Sequence, residues 1–440
     1  MNNDIILTEN EEKRFGILLV SLYFNSSEQI PAEKSLKELK SLAKTSMGED
    51  SEKCDYYFST QCKPSPEAAT YIGKGKLAEI ALFCKNNDIF LVVFDAELSP
   101  AQIRNIEDEI SKESPETKTR VIDRTMLILD IFAKYAVTGE GKLQVEIAQL
   151  HYTSPRLTGR GTDLSRQGGS SSGSVGARGP GETKLETDKR HIKRRIAYLE
   201  QQIKELESNR SIQRSKRQKS KIPVVAIVGY TNAGKSTLLN YLTNADILCE
   251  DKLFATLDPT VRKLELPSGF EILLTDTVGF INKLPHVLIK AFKSTLEEAN
   301  YADMLLILVD ADDEDCQMKI SVTEEILSEL GAMGKPVIYV FNKCDKLSEK
   351  PIFAPENQKK TVCISARTGE GVDNLLREIE KTLTDTLKKV TFLFPFDVQS
   401  PLNNLYKNST VLDVEYTDEG TKVQVLADEK IRGMYKEYLI

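Results

Sequence analysis

Residues 229–236 read Gly-Tyr-Thr-Asn-Ala-Gly-Lys-Ser and follow a short β-branched run at 224–228. A run of that length predicts a buried strand of a parallel sheet, and a helix is expected at 235–241 after the loop. Gly229 and Gly234 permit the tight turn between the two elements. The backbone N–H groups of such a loop, with the first turn of the helix, form a nest for phosphate groups. The stretch therefore predicts a phosphate-binding P-loop in an α/β domain.

Three further motifs follow the P-loop, each after an apolar run that predicts a strand. A lone P-loop pattern has false positives, but four elements in the order that a GTPase requires favour a GTP-binding domain. The three motifs are Asp276-Thr-Val-Gly279 after 270–274, Asn342-Lys-Cys-Asp345 after 337–341, and Ser365-Ala366-Arg367 after 362–364.

The first two of the four elements contain the residue types that phosphate and metal chemistry needs. Lys235 would place a positive charge at the β- and γ-phosphates. The Ser236 hydroxyl and the Asp276 carboxylate would hold Mg²⁺. Gly279 would donate its backbone N–H to the γ-phosphate, so that loss of this phosphate releases the segment after it.

A second switch is predicted in the segment 253–257. The hydroxyl and carbonyl of Thr256 would meet Mg²⁺ and the γ-phosphate only in the triphosphate state. Thr260 is the alternative to Thr256. The predicted catalytic residues are Lys235, Thr256 and Gly279, and the predicted metal ligands are Ser236, Thr256 and Asp276.

Selection of the base depends on Asp345, whose carboxylate accepts both the N1–H and the N2 amino donors of guanine. Adenine offers no such pair, and sites of this kind discriminate by roughly 10⁴-fold or more. Asn342 is expected to tie the base loop to the P-loop, Lys343 to lie along the base, and Ala366 to donate its N–H to guanine O6. The predicted nucleotide contacts are Gly229, Tyr230, Thr231, Asn232, Ala233, Gly234, Lys235, Ser236, Thr237, Phe254, Ala255, Thr256, Leu257, Asp258, Asp276, Thr277, Val278, Gly279, Asn342, Lys343, Cys344, Asp345, Ser365, Ala366 and Arg367.

Two residues depart from the commonest GTPase pattern. Phe280 follows Gly279, where many small GTPases place a glutamine that orients the attacking water. Phenylalanine cannot hold water by a hydrogen bond, so we expect slow hydrolysis alone and acceleration by a partner; substitution by Asn282 is the alternative. Asn232 lies inside the P-loop, where its amide oxygen could coordinate K⁺ beside the phosphates. The alternative is an asparagine that only stabilises the loop.

Length and composition set outer limits. The 440 residues correspond to roughly three domains. No apolar run reaches 18 residues, so no membrane span is predicted, and the N-terminus lacks the order of a secretion signal. Seven scattered cysteines and three histidines favour free thiols in a reducing cytoplasm over a zinc site. A cytoplasmic monomer is expected.

The patterns outside the P-loop region complete the predicted architecture. Strands and helices alternate from 14 to 111, which predicts a small parallel α/β domain. Gly139 and Gly141 predict a break between two helical stretches, and 390–440 predicts a small βαββα unit. The fold class is therefore multidomain α/β, with an N-terminal α/β domain at 1–115, a helical hairpin at 116–220, the GTP-binding domain at 221–387 and an α+β unit at 388–440.

Positive charge is concentrated between 156 and 221, where 17 Lys and Arg face 7 Asp and Glu, although the whole chain has net charge −7. Such asymmetry is typical of a nucleic-acid-facing segment on an acidic body. The apolar positions in 143–150 and 185–206 fit a heptad seam, which predicts an antiparallel hairpin. Its tip is the glycine- and serine-rich loop 159–181. The alternative is a disordered linker. The RNA-binding candidates in this loop are Arg160, Arg166 and Arg178.

These motifs together resemble the HflX family of ribosome-associated GTPases. The resemblance extends over about residues 15–380 and includes Gly179-Pro-Gly-Glu-Thr-Lys-Leu-Glu186 and Phe254-Ala-Thr-Leu-Asp258 as well as the motifs above. It implies binding to the large ribosomal subunit and its RNA. It also implies splitting of stalled or idle ribosomes, or a role in large-subunit maturation, in the context of stress.

Two other functions compete with this one. A signalling GTPase would act on a protein target and would need little RNA affinity, which the local charge disfavours. An RNA-binding module with structural GTP would need no switch. The complete metal pair of Ser236 and Asp276 disfavours that reading.

Overall fold

The protein is represented here by a computed structural model that divides into two compact units. The first unit comprises 1–203, 252–254 and 284–291, and the second comprises 204–251, 255–283 and 292–440. The residues that the structure describes are 14–113, 119–157, 180–220, 222–243, 253–254, 260–285, 288, 298–347, 360–385, 388–396, 400–427 and 429–440.

The first unit contains a four-stranded parallel sheet in the order β2-β1-β3-β4. Helices separate the strands along the chain, as parallel crossovers require. The strands are β1 (Phe15–Tyr23), β2 (Cys54–Cys62), β3 (Ile89–Phe94) and β4 (Arg120–Asp123). The helices are α1 (Gln29–Met47), α2 (Lys74–Asn86), α3 (Pro100–Glu113), α4 (Arg124–Tyr135) and α5 (Gly139–Thr153), with 3₁₀ turns at Ser26–Glu28, Gly48–Lys53 and Ser154–Leu157. A further helix, α6 (Pro180–Ser220), begins in the first unit, and its residues from 204 onward belong to the second.

Local capping fixes where several of these helices begin. Ser99 and Gln102 exchange backbone-to-side-chain hydrogen bonds of 3.2 and 2.9 Å at the start of α3, as in a capping box. Thr138 caps α5 by accepting the N–H of Gly141 at 3.0 Å. The predicted break at the two glycines is therefore wrong. Both glycines lie in the first turn of α5, and the chain breaks between α4 and Thr138 instead.

A buried ion cluster lies where β3 and α4 meet. Arg124 is only 2% exposed and donates to Asp95 at 2.8 Å and to Glu38 at 2.7 Å. The second oxygen of Asp95 accepts the Ser35 hydroxyl at 2.6 Å. Because an unpaired charge is costly to bury, this cluster makes the packing of α1 and α4 on the sheet depend on Arg124.

Asp123 joins four other segments of the first unit. Its carboxylate accepts the N–H groups of Met126 at 2.8 Å and Leu98 at 3.1 Å, a bond from Arg156 at 3.2 Å, and the Tyr152 hydroxyl. Burial, and then the charge of Asp123, raise the pKa of Tyr152. The hydroxyl therefore stays protonated and remains a donor to the carboxylate.

The helix α6 is 41 residues long and carries much of the basic segment. Of the predicted seam, Leu199 is fully buried, whereas Ile192, Ile196 and Ile203 are half-buried. Arg195 forms a two-bond ion pair with Glu146 of α5, at 2.7 and 2.9 Å. The turn that would close the hairpin lies outside the described residues, as do Arg160, Arg166 and Arg178.

The second unit contains a six-stranded sheet in the order β10-β9-β8-β5-β7-β6, parallel except for β6, which is antiparallel to β7. The carboxyl ends of parallel strands share one edge, so the predicted motifs after β5, β7, β9 and β10 are brought to the same edge. The strands are β5 (Val224–Gly229), β6 (Val261–Glu265), β7 (Glu271–Asp276), β8 (Met304–Asp310), β9 (Val337–Asn342) and β10 (Lys360–Cys363). The helices are α7 (Lys235–Thr243), α8 (Glu298–Tyr301), α9 (Cys316–Glu329) and α10 (Val372–Asp385), with a 3₁₀ turn at Cys344–Lys346.

The last part of the second unit is a three-stranded antiparallel sheet in the order β11-β13-β12. Its small core contains Phe392, Phe394, Leu405, Val423 and Val425. The elements are β11 (Lys388–Phe394), α11 (Ser400–Asn408), β12 (Thr410–Thr417), β13 (Gly420–Ala427) and α12 (Glu429–Met434), with a 3₁₀ turn at Lys436–Tyr438.

The predicted multidomain α/β fold class is confirmed, including the parallel sheet around the P-loop. The individual domain boundaries stay predictions. Among the helices of the described ranges, none is long and apolar enough to cross a membrane.

We predict that Arg124→Ala destabilises the first unit by about 3–5 kcal/mol, because it leaves the buried Asp95 carboxylate without its partner. The measurement is urea unfolding, monitored by hydrogen exchange of the backbone amides of β3 and α4. The matched control is Arg14→Ala, since Arg14 pairs with Asp55 at 2.9 Å on the surface, with 58% and 42% of the side chains exposed. In this control the free energy of unfolding is expected to fall by at most about 1 kcal/mol. Equal effects of the two variants would contradict the prediction.

Candidate functional site

The P-loop lies between β5 and α7, and its two glycines are required by their neighbours. Gly229 has φ +148°, and a Cβ there would lie 2.3 Å from the Leu308 carbonyl oxygen. Gly234 has φ +92°, and a Cβ there would lie 2.3 Å from the Asn342 Nδ2 atom. A side chain at either position would therefore meet both strain and a clash.

Lys235 lies buried in the loop that it would serve. It is 7% exposed, and its Nζ donates to the carbonyls of Tyr230 at 2.8 Å and Gly229 at 3.2 Å. Burial lowers the pKa of Lys235 to about 8, although the charge of Asp276 opposes the shift. Phosphate oxygens in the loop would favour the charged form and reverse the shift.

Ser236 and Asp276 form the candidate metal pair. The Ser236 hydroxyl donates to one Asp276 oxygen at 2.9 Å, and the Thr277 N–H donates to the other at 2.9 Å. Burial raises the pKa of Asp276, against the opposing effects of Lys235, Ser236 and the Thr277 N–H. A cation beside the carboxylate would favour its charged form.

The residues present fit Mg²⁺, which prefers oxygen ligands and is commonly held by one or two protein groups together with water and phosphate. The Ser236 and Asp276 oxygens are already adjacent. In addition, the Thr231 hydroxyl is buried in the P-loop and has no hydrogen-bond partner among the residues that the structure describes. Such an orphaned polar atom is explained by a ligand that completes its hydrogen bonding.

The start of the predicted switch is fastened to the P-loop through Phe280. The Phe280 N–H donates to the Gly229 carbonyl at 3.0 Å, and its carbonyl accepts the Thr231 N–H at 2.8 Å. Its ring is 1% exposed. At Gly279, a Cβ would lie 2.9 Å from the Lys235 Nζ, so the backbone there lies directly against the lysine.

Asn282 is the polar residue next along this segment. It is half-buried, and its backbone N–H donates to the Tyr230 hydroxyl at 2.7 Å. The Tyr230 ring in turn lies 4.9 Å from the Lys319 ammonium. The alternative of Asn282 as the water-orienting group stays open.

The base loop is connected to both of its neighbours by Asn342. This side chain is 2% exposed, donates to the Ala233 carbonyl at 2.8 Å and accepts the Ala366 N–H at 2.8 Å. The Ala366 N–H is thus engaged within the protein, so guanine O6 would have to share or replace that bond. Asp345 is exposed, as a base acceptor must be. Ser365 is fully buried and Arg367 is exposed.

Lys343 has a partner that the sequence reasoning missed. Its backbone is left-handed, with φ +65°, and its Nζ lies 2.7 Å from the Asp310 carboxylate. The signal was available, because Asp310 ends the apolar run 304–309 just as Asn342 ends the run before the base loop.

The predicted second switch falls largely outside the described residues, which omit Ala255, Thr256, Leu257 and Asp258. Phe254 is described and belongs to the first unit, where it is 3% exposed and packs edge-on against Phe132 with ring centroids 4.7 Å apart. The Phe254 ring is thus buried against Phe132. Thr260, the alternative to Thr256, accepts the Asp276 N–H at 3.0 Å through its carbonyl.

Comparison with known proteins places this geometry in context. Models of four consecutive regions match the chain: GTP-binding GTPase N-terminal at 33–133, GTP-binding GTPase Middle Region at 135–217, 50S ribosome-binding GTPase at 224–343 and HflX C-terminal domain at 353–430.

Similar proteins span nearly the whole chain. The GTPase HflX of Caldanaerobacter subterraneus subsp. tengcongensis is 48% identical over 408 residues, which cover 93% of this chain and 91% of that protein. The GTPase HflX of Escherichia coli is 39% identical over 414 residues, which cover 93% and 92%. A solved GTP-binding protein from Sulfolobus solfataricus in complex with GDP is 25% identical and covers 83% of this chain and 99% of that one, with a TM-score of 0.40.

We predict that Asp345→Asn lowers GDP affinity by about 10²–10³-fold, because an amide N–H would face the guanine donors. Affinity for the xanthine nucleotide is expected to rise, since xanthine presents an acceptor where guanine presents its amino group. Titration calorimetry with both nucleotides measures the change. Asp373→Asn, at an exposed aspartate in the first turn of α10, is the matched control. Unchanged base preference would remove Asp345 from base selection.

GDP affinity is also expected to depend on pH through Lys235. Because the pKa of Lys235 is lowered to about 8, the lysine is charged at neutral pH and loses its proton as the pH rises through 8. Phosphate binding then requires proton uptake, so affinity should fall by up to about tenfold per pH unit above 8 and stay level below about pH 7. The Lys235→Met variant is the control. It should bind GDP weakly and without this pH dependence, and any dependence that it still shows comes from titration of the base. A level wild-type curve to about pH 9 would contradict the prediction.

Proposed function

The chain belongs to the HflX family of GTPases, and we propose that its nucleotide state controls association with the large ribosomal subunit. The chain is a GTP hydrolase, and its GTP-binding region matches a ribosome-binding GTPase domain over 224–343. The observation that supports the proposal most strongly is this combination of a complete P-loop site with a separate basic helix in the same chain.

The site residues divide the work of hydrolysis between them. The P-loop N–H groups and Lys235 would bind the β- and γ-phosphates, and Gly279 would present its N–H to the γ-phosphate. Ser236 and Asp276 would hold Mg²⁺, with Thr256 completing the set in the triphosphate state. When bound, Mg²⁺ neutralises charge on the transferred phosphoryl group and the leaving group.

Stimulation by a partner follows from Phe280. Because this ring is 1% exposed and cannot form hydrogen bonds to water, the position after Gly279 supplies no group that orients the nucleophile. A group supplied by a partner can accelerate such a site by about 10³-fold or more. We infer that the ribosomal subunit provides this acceleration.

The basic helix α6 supports an RNA partner. Arg190, Lys193 and Arg194 are exposed on it, whereas Arg195 is held by Glu146. Exposed cations on one element bind nucleic-acid phosphates without reading sequence. Arg160, Arg166 and Arg178 are proposed to extend this contact from the neighbouring loop.

The association would serve the splitting of stalled or idle ribosomes or the maturation of the large subunit. Either role needs a protein that binds RNA tightly in one nucleotide state and releases it in the other. A signalling GTPase remains the competing function. It would leave the exposed cations of α6 without a role.

Isolated large subunits are expected to raise GTP turnover by at least about tenfold over the chain alone, because they complete the water-orienting site. Lys193→Glu with Arg194→Glu should reduce this stimulation and leave turnover without ribosomes unchanged. The matched control is Lys37→Glu with Lys85→Glu, which makes the same charge change at exposed lysines of α1 and α2. Turnover is measured in KCl and in NaCl, since equal rates would end the hypothesis that Asn232 holds K⁺.

The outcomes separate the competing functions. Equal stimulation by large and small subunits would indicate generic RNA binding. No stimulation, together with normal GDP affinity, would contradict the ribosomal role and favour a protein target. Sedimentation of intact ribosomes with the GTP-loaded chain then distinguishes splitting, which yields free subunits, from a role in maturation, which does not.

A further inference from the structure

We propose that Cys344 and Cys363 form an oxidisable thiol pair beneath the base loop, and that their disulfide weakens guanine-nucleotide binding. This inference depends on the proposed function of 342–345 as the base loop. Cys344 lies within that loop, and Cys363 lies at the end of β10, two residues before Ser365. Both are free thiols.

The backbone brings the two cysteines together. Cys363 is the register partner of Phe341 in the parallel pair of β10 and β9. The Phe341 carbonyl accepts both the Ile364 N–H at 2.8 Å and the Cys344 thiol at 3.2 Å. The Cys344 N–H also donates to the Ile364 carbonyl, at 3.1 Å. Cys344 is therefore bonded both to the cross-strand partner of Cys363, Phe341, and to the residue that follows Cys363, Ile364.

Cys363 also influences the protonation of Cys344. The pKa of Cys344 is raised to about 12 by burial first and then by the charge and the side-chain hydrogen bond of Cys363. Cys344 therefore keeps its proton at neutral pH, and its thiol donates to the Phe341 carbonyl. Since thiolates are the nucleophiles in thiol chemistry and Cys344 keeps its proton, we assign the first attack on the oxidant to Cys363.

A cavity of ≈ 600 Å³ gives a small oxidant access to the pair. Cys344 and Cys363 are both half-buried and line it together. Two basic and two acidic residues line the same cavity: Lys360, Arg377, Glu370 and Glu378. The Lys360 Nζ atom lies 3.7 Å from the Glu378 Oε1 atom, so these two opposite charges pair with each other.

The oxidation balances with a hydroperoxide as the oxidant. The Cys363 sulfur attacks one peroxide oxygen and the O–O bond breaks, which gives a sulfenic acid and releases an alcohol, or water from hydrogen peroxide. The Cys344 sulfur then attacks the Cys363 sulfur and displaces the hydroxyl group, which leaves as water with the Cys344 proton. The two thiols lose two electrons, the peroxide gains them, and the products are one disulfide and two oxygen-bearing leaving groups.

The disulfide would change the base site through the loop backbone. The two unbonded sulfur atoms must approach to about 2.05 Å in the disulfide. The Cys344 thiol also loses its bond to the Phe341 carbonyl. Asp345 follows Cys344 directly, and Ala366 lies three residues after Cys363, so both sides of the predicted guanine contact would move. We expect GDP affinity to fall about tenfold, the effect of one misplaced hydrogen bond to a charged group.

The test treats the full-length chain with hydrogen peroxide and measures GDP affinity before oxidation, after it, and after reduction with dithiothreitol. The expected result is a reversible loss of about tenfold, accompanied by a linked Cys344–Cys363 peptide in a non-reducing digest. Cys363→Ser should bind GDP normally and should not respond to peroxide. The matched control is Cys62→Ser, which removes an exposed cysteine of the first unit and should respond like the wild type.

Three results would overturn the proposal: no linked peptide, full GDP affinity in the linked protein, or an undiminished response of Cys363→Ser. If Cys363→Ser were unstable, the linked-peptide yield and affinity of the wild-type chain would still decide the question. Failure of the base-loop assignment itself is distinguishable, because it would leave Asp345→Asn with unchanged base preference in the fully reduced chain.

Discussion

The buried amide of Asn342 fixes the arrangement of three loops at once. Its nitrogen donates to the Ala233 carbonyl of the P-loop and its oxygen accepts the Ala366 N–H, both at 2.8 Å. A side chain at Gly234 would occupy the space of that amide. The glycine is thus required by Asn342 as well as by the turn. Since a buried amide with one bond missing is costly, the phosphate side and the base side of the site hold each other in place, and a change in either loop is felt in the other.

The phosphate side of the site buries a lysine, Lys235, and a carboxylate, Asp276. Burial lowers the pKa of Lys235 and raises the pKa of Asp276, so it disfavours the charged form of each residue. Loop carbonyls satisfy the lysine, and Ser236 and Thr277 satisfy the carboxylate. A bound phosphate and cation would favour both charged forms, and the donors and acceptors around Lys235 and Asp276 are already oriented. Such preorganisation is the main source of electrostatic stabilisation in phosphoryl transfer.

Much of this arrangement follows from the sequence because it depends on local pattern. The apolar runs before Asp276 and Asn342 form strands that end at those two residues. Parallel strands necessarily bring their carboxyl ends to one edge of the sheet. The contacts that escaped prediction join residues that are distant in the chain. The pairing of Lys343 with Asp310 is one of them, and the occupation of the Ala366 N–H by Asn342 is another. Similarly, Gly139 is read as a break from composition alone, although a capping threonine before it starts a helix there.

Phe280 explains why hydrolysis in this site should be conditional. Its backbone bonds to the loop on both sides of Tyr230, and its ring is buried. The backbone of Phe280 therefore fastens the switch to the P-loop, and its buried apolar ring cannot orient water. The neighbouring Asn282 backbone is itself held by the Tyr230 hydroxyl. If a partner supplies the group that orients the nucleophile, as proposed above, the site retains GTP until that partner arrives. That property suits a protein whose nucleotide state must report engagement with its partner.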